Sequence, residues 1–178
     1  MARAKSGGAR CAPVVAVVMG SDSDWPVMKE TALILKKLQV PFTTRVLSAH
    51  RTPEEAGDFA RKAEKGGLKV LIAAAGGAAH LAGVMASSSA LPVIGVPMEG
   101  WALSGLDALL STVQMPGGVP VATVAIGKPG ARNAAILAAE ILALSDKALA
   151  GRLAALRAEA RLVVAVADKK VSEEGRSL

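Results

Sequence analysis

The chain has no tyrosine, two phenylalanines and two tryptophans. Single-stranded nucleic acids stack their bases on aromatic side chains, and a chain this poor in aromatics offers no such platform. A lone cysteine, Cys11, excludes an internal disulfide and any cysteine-rich zinc centre. Its plain reading is an idle thiol in an N-terminal tail. No run of eighteen or more apolar residues occurs, and the first dozen residues, MARAKSGGARCA, are basic without an apolar signal-peptide core. A soluble cytoplasmic protein with no membrane partner is expected. Also missing are an H-E-x-x-H pair, a Cys/His cluster, carboxylates at metal-ligand spacing and a G-x-S-x-G elbow. Neither a metal nor a serine nucleophile is expected, which points to proton-transfer chemistry without a cofactor.

Charge is present in excess, with a formal net value of +6. Arg3, Lys5 and Arg10 supply three of those charges, and the last ten residues supply a net one. The body of the chain keeps a net two, too little for a duplex-binding face. Nucleic acid is therefore not an expected partner. A length of 178 residues with 52% apolar content suits one domain around one core.

Five short apolar runs alternate with segments of helical period: PVVAVVMG, FTTRVLSA, KVLIAAAGG, LPVIGVP and VPVATVAIG. That alternation predicts an α/β fold: a three-layer, doubly wound, parallel five-stranded sheet of flavodoxin-like type. The first, third, fourth and fifth runs read as strands covered on both faces, whereas Thr43, Thr44 and Arg45 mark the second as an edge. Ser23 and Asp24 before Trp25-Pro26 predict one helix start, and Thr52-Pro53-Glu54-Glu55 another. Further helices are expected over about 79–88, 104–113 and 130–144. A sixth amphipathic segment, 145–167, carries Leu149, Leu153, Leu156, Ala160 and Val163 on one face. It can fold back on its own domain or dock on another subunit, and the pattern leaves both open.

Ligands of open α/β sheets bind beyond the carboxyl ends of the strands, so the loops there are the places to look. After the first strand, Gly20, Ser21, Ser23 and Asp24 in GSDSDW combine free amides, hydroxyls and a carboxylate at a helix start. They suit an oxyanion and sugar hydroxyls, or simply cap the helix. After the second, Ser48, Ala49, His50 and Arg51 set a group that titrates near neutrality beside a planar anion-binding fork. A histidine that only ties down its turn is the alternative. After the third, Ala75, Gly76 and Gly77 lead to His80 and Leu81, and the glycines let the backbone approach a ligand closely. His80 reads as a group holding the loop or a neighbour. The fourth loop, PMEGWALSG (97–105), is placed to close over such a site.

The motifs VMGSDSDW, SAHRTP, AGGAAHL, ALSGLDALLSTVQMPGGVPVATVAIG and NAAILAAEIL, in that order over about 13–157, together resemble the class I N5-carboxyaminoimidazole ribonucleotide mutases, the catalytic subunit also called phosphoribosylaminoimidazole carboxylase. The resemblance implies a purine-biosynthesis enzyme that moves a carboxylate from the exocyclic nitrogen to ring carbon 4, without ATP, metal or cofactor. By the same resemblance His50 is the acid and base, and Ser21 and Asp24 hold the ribonucleotide substrate. Arg51 takes the phosphate, and the Gly76-Gly77 loop takes the carboxylate. The resemblance further implies a homo-octamer whose C-terminal helices embrace neighbours, and coupling to the ATP-dependent enzyme that makes the carbamate. On this basis 13–168 is one domain including an oligomerisation helix, 1–12 a disordered tail and 169–178 a flexible one. Two residues depart from the family pattern: Ala74 stands where glycine is expected and Ala82 where proline is. A direct carboxylase acting on aminoimidazole ribonucleotide and carbon dioxide, or a non-catalytic nucleotide-binding module, would use the same sheet edge.

Overall fold

The computed structural model describes residues 12–100 and 102–178, so the expected tail, Cys11 included, lies outside the described residues apart from Ala12. The strands are β1 (Val15–Met19), β2 (Phe42–Val46), β3 (Val70–Ala75), β4 (Val93–Pro97) and β5 (Ala122–Thr123). They form one sheet in the order β2-β1-β3-β4-β5, parallel throughout. The helices are α1 (Trp25–Lys37), α2 (Pro53–Ala63), α3 (Leu81–Ser88), α4 (Leu106–Val113), α5 (Gly127–Ala143) and α6 (Lys147–Arg176). Strand order reverses between β1 and β3, which makes their carboxyl ends the switch point of a doubly wound sheet.

Alternation along the central strands builds two cores. Val15, Val17 and Met19 of β1, with Val70, Ile72 and Ala74 of β3 and Ile94 and Val96 of β4, join α1, α5 and the start of α6. The intervening Ala16, Val18, Leu71, Ala73 and Val93 join α2 and α3 on the other face. Each fully buried valine, leucine or isoleucine contributes about 1.5–3 kcal/mol, so the near-continuous apolar runs of β1, β3 and β4 follow from double coverage. Thr31, fully buried on α1, satisfies its hydroxyl by donating to the Ala131 carbonyl of α5 at 2.7 Å. Gly95 lets helices approach β4. A Cβ there would lie 2.4 Å from Thr112 Cγ2 and 2.9 Å from Val121 Cγ1.

Several boundaries differ from the sequence expectation. β5 is an edge strand of only two residues, with Ala122 exposed, rather than a strand covered on both faces. Pro120 has no amide to give a ladder, and Val121 and Val124 spend their apolar surface packing on the two cores instead. Ser104 and Gly105 adopt left-handed φ values of 50° and 89°, so α4 begins at Leu106 and not at Ser104. Gly130 lies inside the first turn of α5, where a Cβ would come 1.6 Å from the Ala125 carbonyl oxygen. Thr52 and Asp24 precede their helices without a side-chain capping bond, which frees both for other contacts.

The amphipathic C-terminal segment divides its loyalties. Asp146 caps α6 by accepting from the Leu149 amide at 2.9 Å, and Leu149 and Leu153 are buried against α1 and α5. Arg152 Nε donates to the Leu38 carbonyl at 2.7 Å, and Lys37 pairs with Glu159. Beyond that point the helix has no packing partner among the described residues: Leu162, Val163, Val164 and Val166 are about two-thirds exposed. The helix nevertheless continues to Arg176, through the segment expected as a tail, with Lys169 and Lys170 four residues before Glu173 and Glu174.

Candidate active site

The sheet ladder continues one step past the strand ends. Leu47 N–H donates to the Met19 carbonyl at 2.9 Å, Gly20 N–H to Ala74 at 3.0 Å, and Met98 N–H to Ala75 at 2.9 Å. The loops after β1, β2 and β3 therefore leave the sheet at one level, side by side.

Each loop is then folded by its own short polar contacts. In the first, Ser21 rather than Ser23 or Asp24 does the capping. Its hydroxyl oxygen accepts from the Ser23 amide at 3.3 Å and from the Ser23 hydroxyl at 2.9 Å, closing a single 3-10 turn over Asp22–Asp24. In the second, Ser48 and Thr52 lock to each other. The Ser48 amide donates to Thr52 Oγ1 at 2.9 Å, the Thr52 amide donates to the Ser48 carbonyl at 3.0 Å, and the Arg51 amide donates to Ser48 Oγ at 3.1 Å. That closed turn holds out His50 and Arg51. In the third, Gly77 takes a positive φ of 60° to swing the chain into α3, whose N-cap is His80.

The three loops enclose a cavity of about 470 Å³. Gly20, Ser21, Ser23 and Asp24 line one side, Ser48, Ala49, His50 and Arg51 another, and Ala75, Gly76, His80 and Leu81 the third. Gly77 is the one sequence candidate that does not line it, being buried with its carbonyl toward the Ser111 hydroxyl at 3.5 Å. Ala78 lines the cavity and carried no signal in the sequence, because only its backbone position brings it there. No described residue of 97–105 borders the cavity; Trp101 lies outside the described residues. Ala74 directs its methyl into the core beneath the sheet, and Ala82 is buried at the start of α3. Neither departure from the family pattern lines the cavity.

Polar geometry gives this pocket acid–base and anion-binding capacity. His50 Nε2 and His80 Nδ1 are 2.7 Å apart with their rings edge to face, which joins the second loop to the third above β1. The Arg51 guanidinium makes one long contact, to the Gly20 carbonyl at 3.4 Å, and so keeps most of its donors for an anion. Burial raises the Asp24 carboxyl above the ordinary carboxylate range; a hydrogen bond from the Ser21 backbone opposes the shift, and the nearby Asp22 charge adds to it. Among the described residues no group of three histidine, cysteine, aspartate or glutamate side chains is placed to hold a metal ion.

Because folding raises the Asp24 value, the folded protein keeps this proton to higher pH than the unfolded chain does, and ionising it costs stability as pH rises through that window. Asp24→Asn is therefore expected to melt at a higher temperature than the parent at neutral pH. The gap should close as pH falls below about 4, the ordinary carboxyl value. Thermal melts across that range check it, and an equal or lower Tm for the variant at neutral pH contradicts it.

The comparisons with known proteins agree with this architecture. Residues 14–162 match the family model described as AIR carboxylase. The chain is 52% identical over 163 residues to the N5-carboxyaminoimidazole ribonucleotide mutase of Pyrococcus horikoshii, covering 92% of this chain and 91% of that one. Against the mutase of Bacillus subtilis it is 56% identical over 141 residues, covering 79% and 87%. Among solved structures, Treponema denticola PurE superposes with a TM-score of 0.80 at 29% identity, over 89% of this chain and 98% of that one. With the matched region spanning both cores and all three loops of the cavity, the chain belongs to the AIR carboxylase family.

Proposed function

We propose that the chain is an N5-carboxyaminoimidazole ribonucleotide mutase of purine biosynthesis. The observation that carries the reading is that His50, Asp24, Arg51 and the Gly76 backbone border one cavity at the switch point of the sheet. Relatives at 52–57% identity bear the mutase name.

In this reaction the nitrogen–carbon bond of the carbamate breaks, carbon dioxide is released beside the ring, and the nitrogen takes a proton from the His50 imidazolium. Carbon 4 of the ring then attacks the trapped carbon dioxide, and neutral His50 removes the proton that carbon 4 carried. The proton returns to its donor, so no net acid or base is consumed and no cofactor is needed. One imidazole serves both steps because it exchanges its proton readily near neutral pH. Ser21 and Asp24 hold the ribose end, Arg51 the phosphate, and the Gly76 backbone the carboxylate. The carbamate is labile, and an ATP-dependent carboxylating enzyme would have to supply it.

A direct carboxylase is the second reading, favoured by the family description itself. The two separate on substrate. Freshly prepared N5-carboxyaminoimidazole ribonucleotide, without ATP or metal, is expected to convert to the carbon-carboxylated isomer, followed by ultraviolet absorbance. His50→Asn should lower that rate by at least about 100-fold. Turnover confined to aminoimidazole ribonucleotide plus carbon dioxide would favour the carboxylase, and ligand binding without turnover of either would leave a binding module.

The working unit is proposed to be a homo-oligomer, an octamer by family resemblance. Leu106, Leu110 and Val113 form an exposed stripe at spacings of four and three along α4, with exposed Leu103 just before it, and the second half of α6 exposes a further apolar surface. A second copy of the chain would cover both. Light scattering is expected to give a mass near eight chains, and a monomer at micromolar concentration would contradict it.

A further inference from the structure

The 2.7 Å contact between His50 Nε2 and His80 Nδ1 constrains more than the position of the catalytic ring. Two imidazole nitrogens that close have room for one proton between them, so one must donate and the other must present its lone pair. A proton on both would set N–H against N–H and break the contact. While the contact lasts, the pair carries at most one positive charge. The other charged side chains bordering the cavity are Asp24 and Arg51, and neither contacts these two nitrogens.

We propose that His80 is the positioning residue for the His50 proton transfer. Its Nδ1 lone pair accepts from His50 Nε2–H and so holds His50 in the tautomer whose Nδ1 is free and basic. This deepens the mutase reading and rests on it. When the carbamate breaks, His50 Nδ1–H gives its proton to the exocyclic nitrogen, and the ring becomes neutral with Nε2–H still donating to His80. When carbon 4 has attacked carbon dioxide, the Nδ1 lone pair takes the carbon-bound proton and the imidazolium is restored. His80 changes neither charge nor tautomer in either step. It stabilises the imidazolium form through the same hydrogen bond, as a third group does for the base of a nucleophilic triad. The backbone suits the task. The His80 amide donates to the Ala78 carbonyl at 2.9 Å, and its carbonyl accepts from the Val84 amide at 3.0 Å. The ring is thus mounted on the first turn of a helix and not on a free loop.

The test uses the intact protein with 15N-labelled histidine, which is simple to assign because the chain has only two. In the free parent, at a pH where the His50 ring is neutral, it is expected as the Nε2–H tautomer, and His80→Phe should leave it as a mixture. In the mutase assay His80→Phe should lower kcat at least about tenfold while KM for the ribonucleotide stays within about twofold. His80→Asn, whose amide oxygen can stand where Nδ1 stood, should recover most of the loss. His80 is exposed, and circular dichroism would check that both variants keep the parent fold. A parent His50 found as the Nδ1–H tautomer would overturn the proposal. So would an unchanged kcat in His80→Phe, or a rise in KM alone, which would make His80 a ligand contact. A parent that fails to convert the carbamate would sink the mutase reading, while the tautomer measurement would still decide the pairing.

Discussion

Everything at the proposed site depends on the parallel register of β1 with its two neighbours. Met19 stands level with Val46 on one side and with Ala74 on the other, and the next amides along, Leu47 and Gly20, are still bonded across the sheet. A one-residue slip would turn every core side chain to the wrong face, and it would also set one loop about 3.3 Å above its neighbour. At that offset the 2.7 Å contact between His50 and His80 could not form. The two buried layers that fix the register are therefore also what bring His50 and His80 together.

Local polar contacts then determine which side chains stay available. Ser21 closes the first turn with its hydroxyl, so Asp24 is left without a capping role and can face a ligand. Ser48 and Thr52 satisfy each other across the second turn and the Arg51 amide closes on Ser48, so the His50 ring and most of the Arg51 guanidinium donors stay at the cavity edge. The raised Asp24 carboxyl is one measurable cost of that arrangement.

The central strands were legible in the sequence because burial on both faces leaves an unbroken apolar run, and the three loops followed from where those runs end. The run VPVATVAIG is equally apolar, but Pro120 and the two-sided packing of Val121 and Val124 reduce its ladder to two residues. The helix starts at Asp24 and Thr52 were placed correctly for the wrong reason, since neither side chain caps. A glycine permits both close approach to a ligand and a left-handed turn, and Gly77 makes the turn. The meeting of His50 with His80 lay beyond sequence reasoning. Thirty residues separate them along the chain, and only the sheet brings their loops together. The same limit applies to α6, whose apolar face gives no sign that its first half packs on its own domain and its second half on none of the described residues.

A crystal structure with the carbon-carboxylated ribonucleotide bound tests the central claim most directly. The account predicts the imidazole ring of the ligand over the end of β1, with carbon 4 next to His50 and its phosphate on Arg51. Product bound elsewhere, or bound here with His50 turned away from the ring, would contradict it.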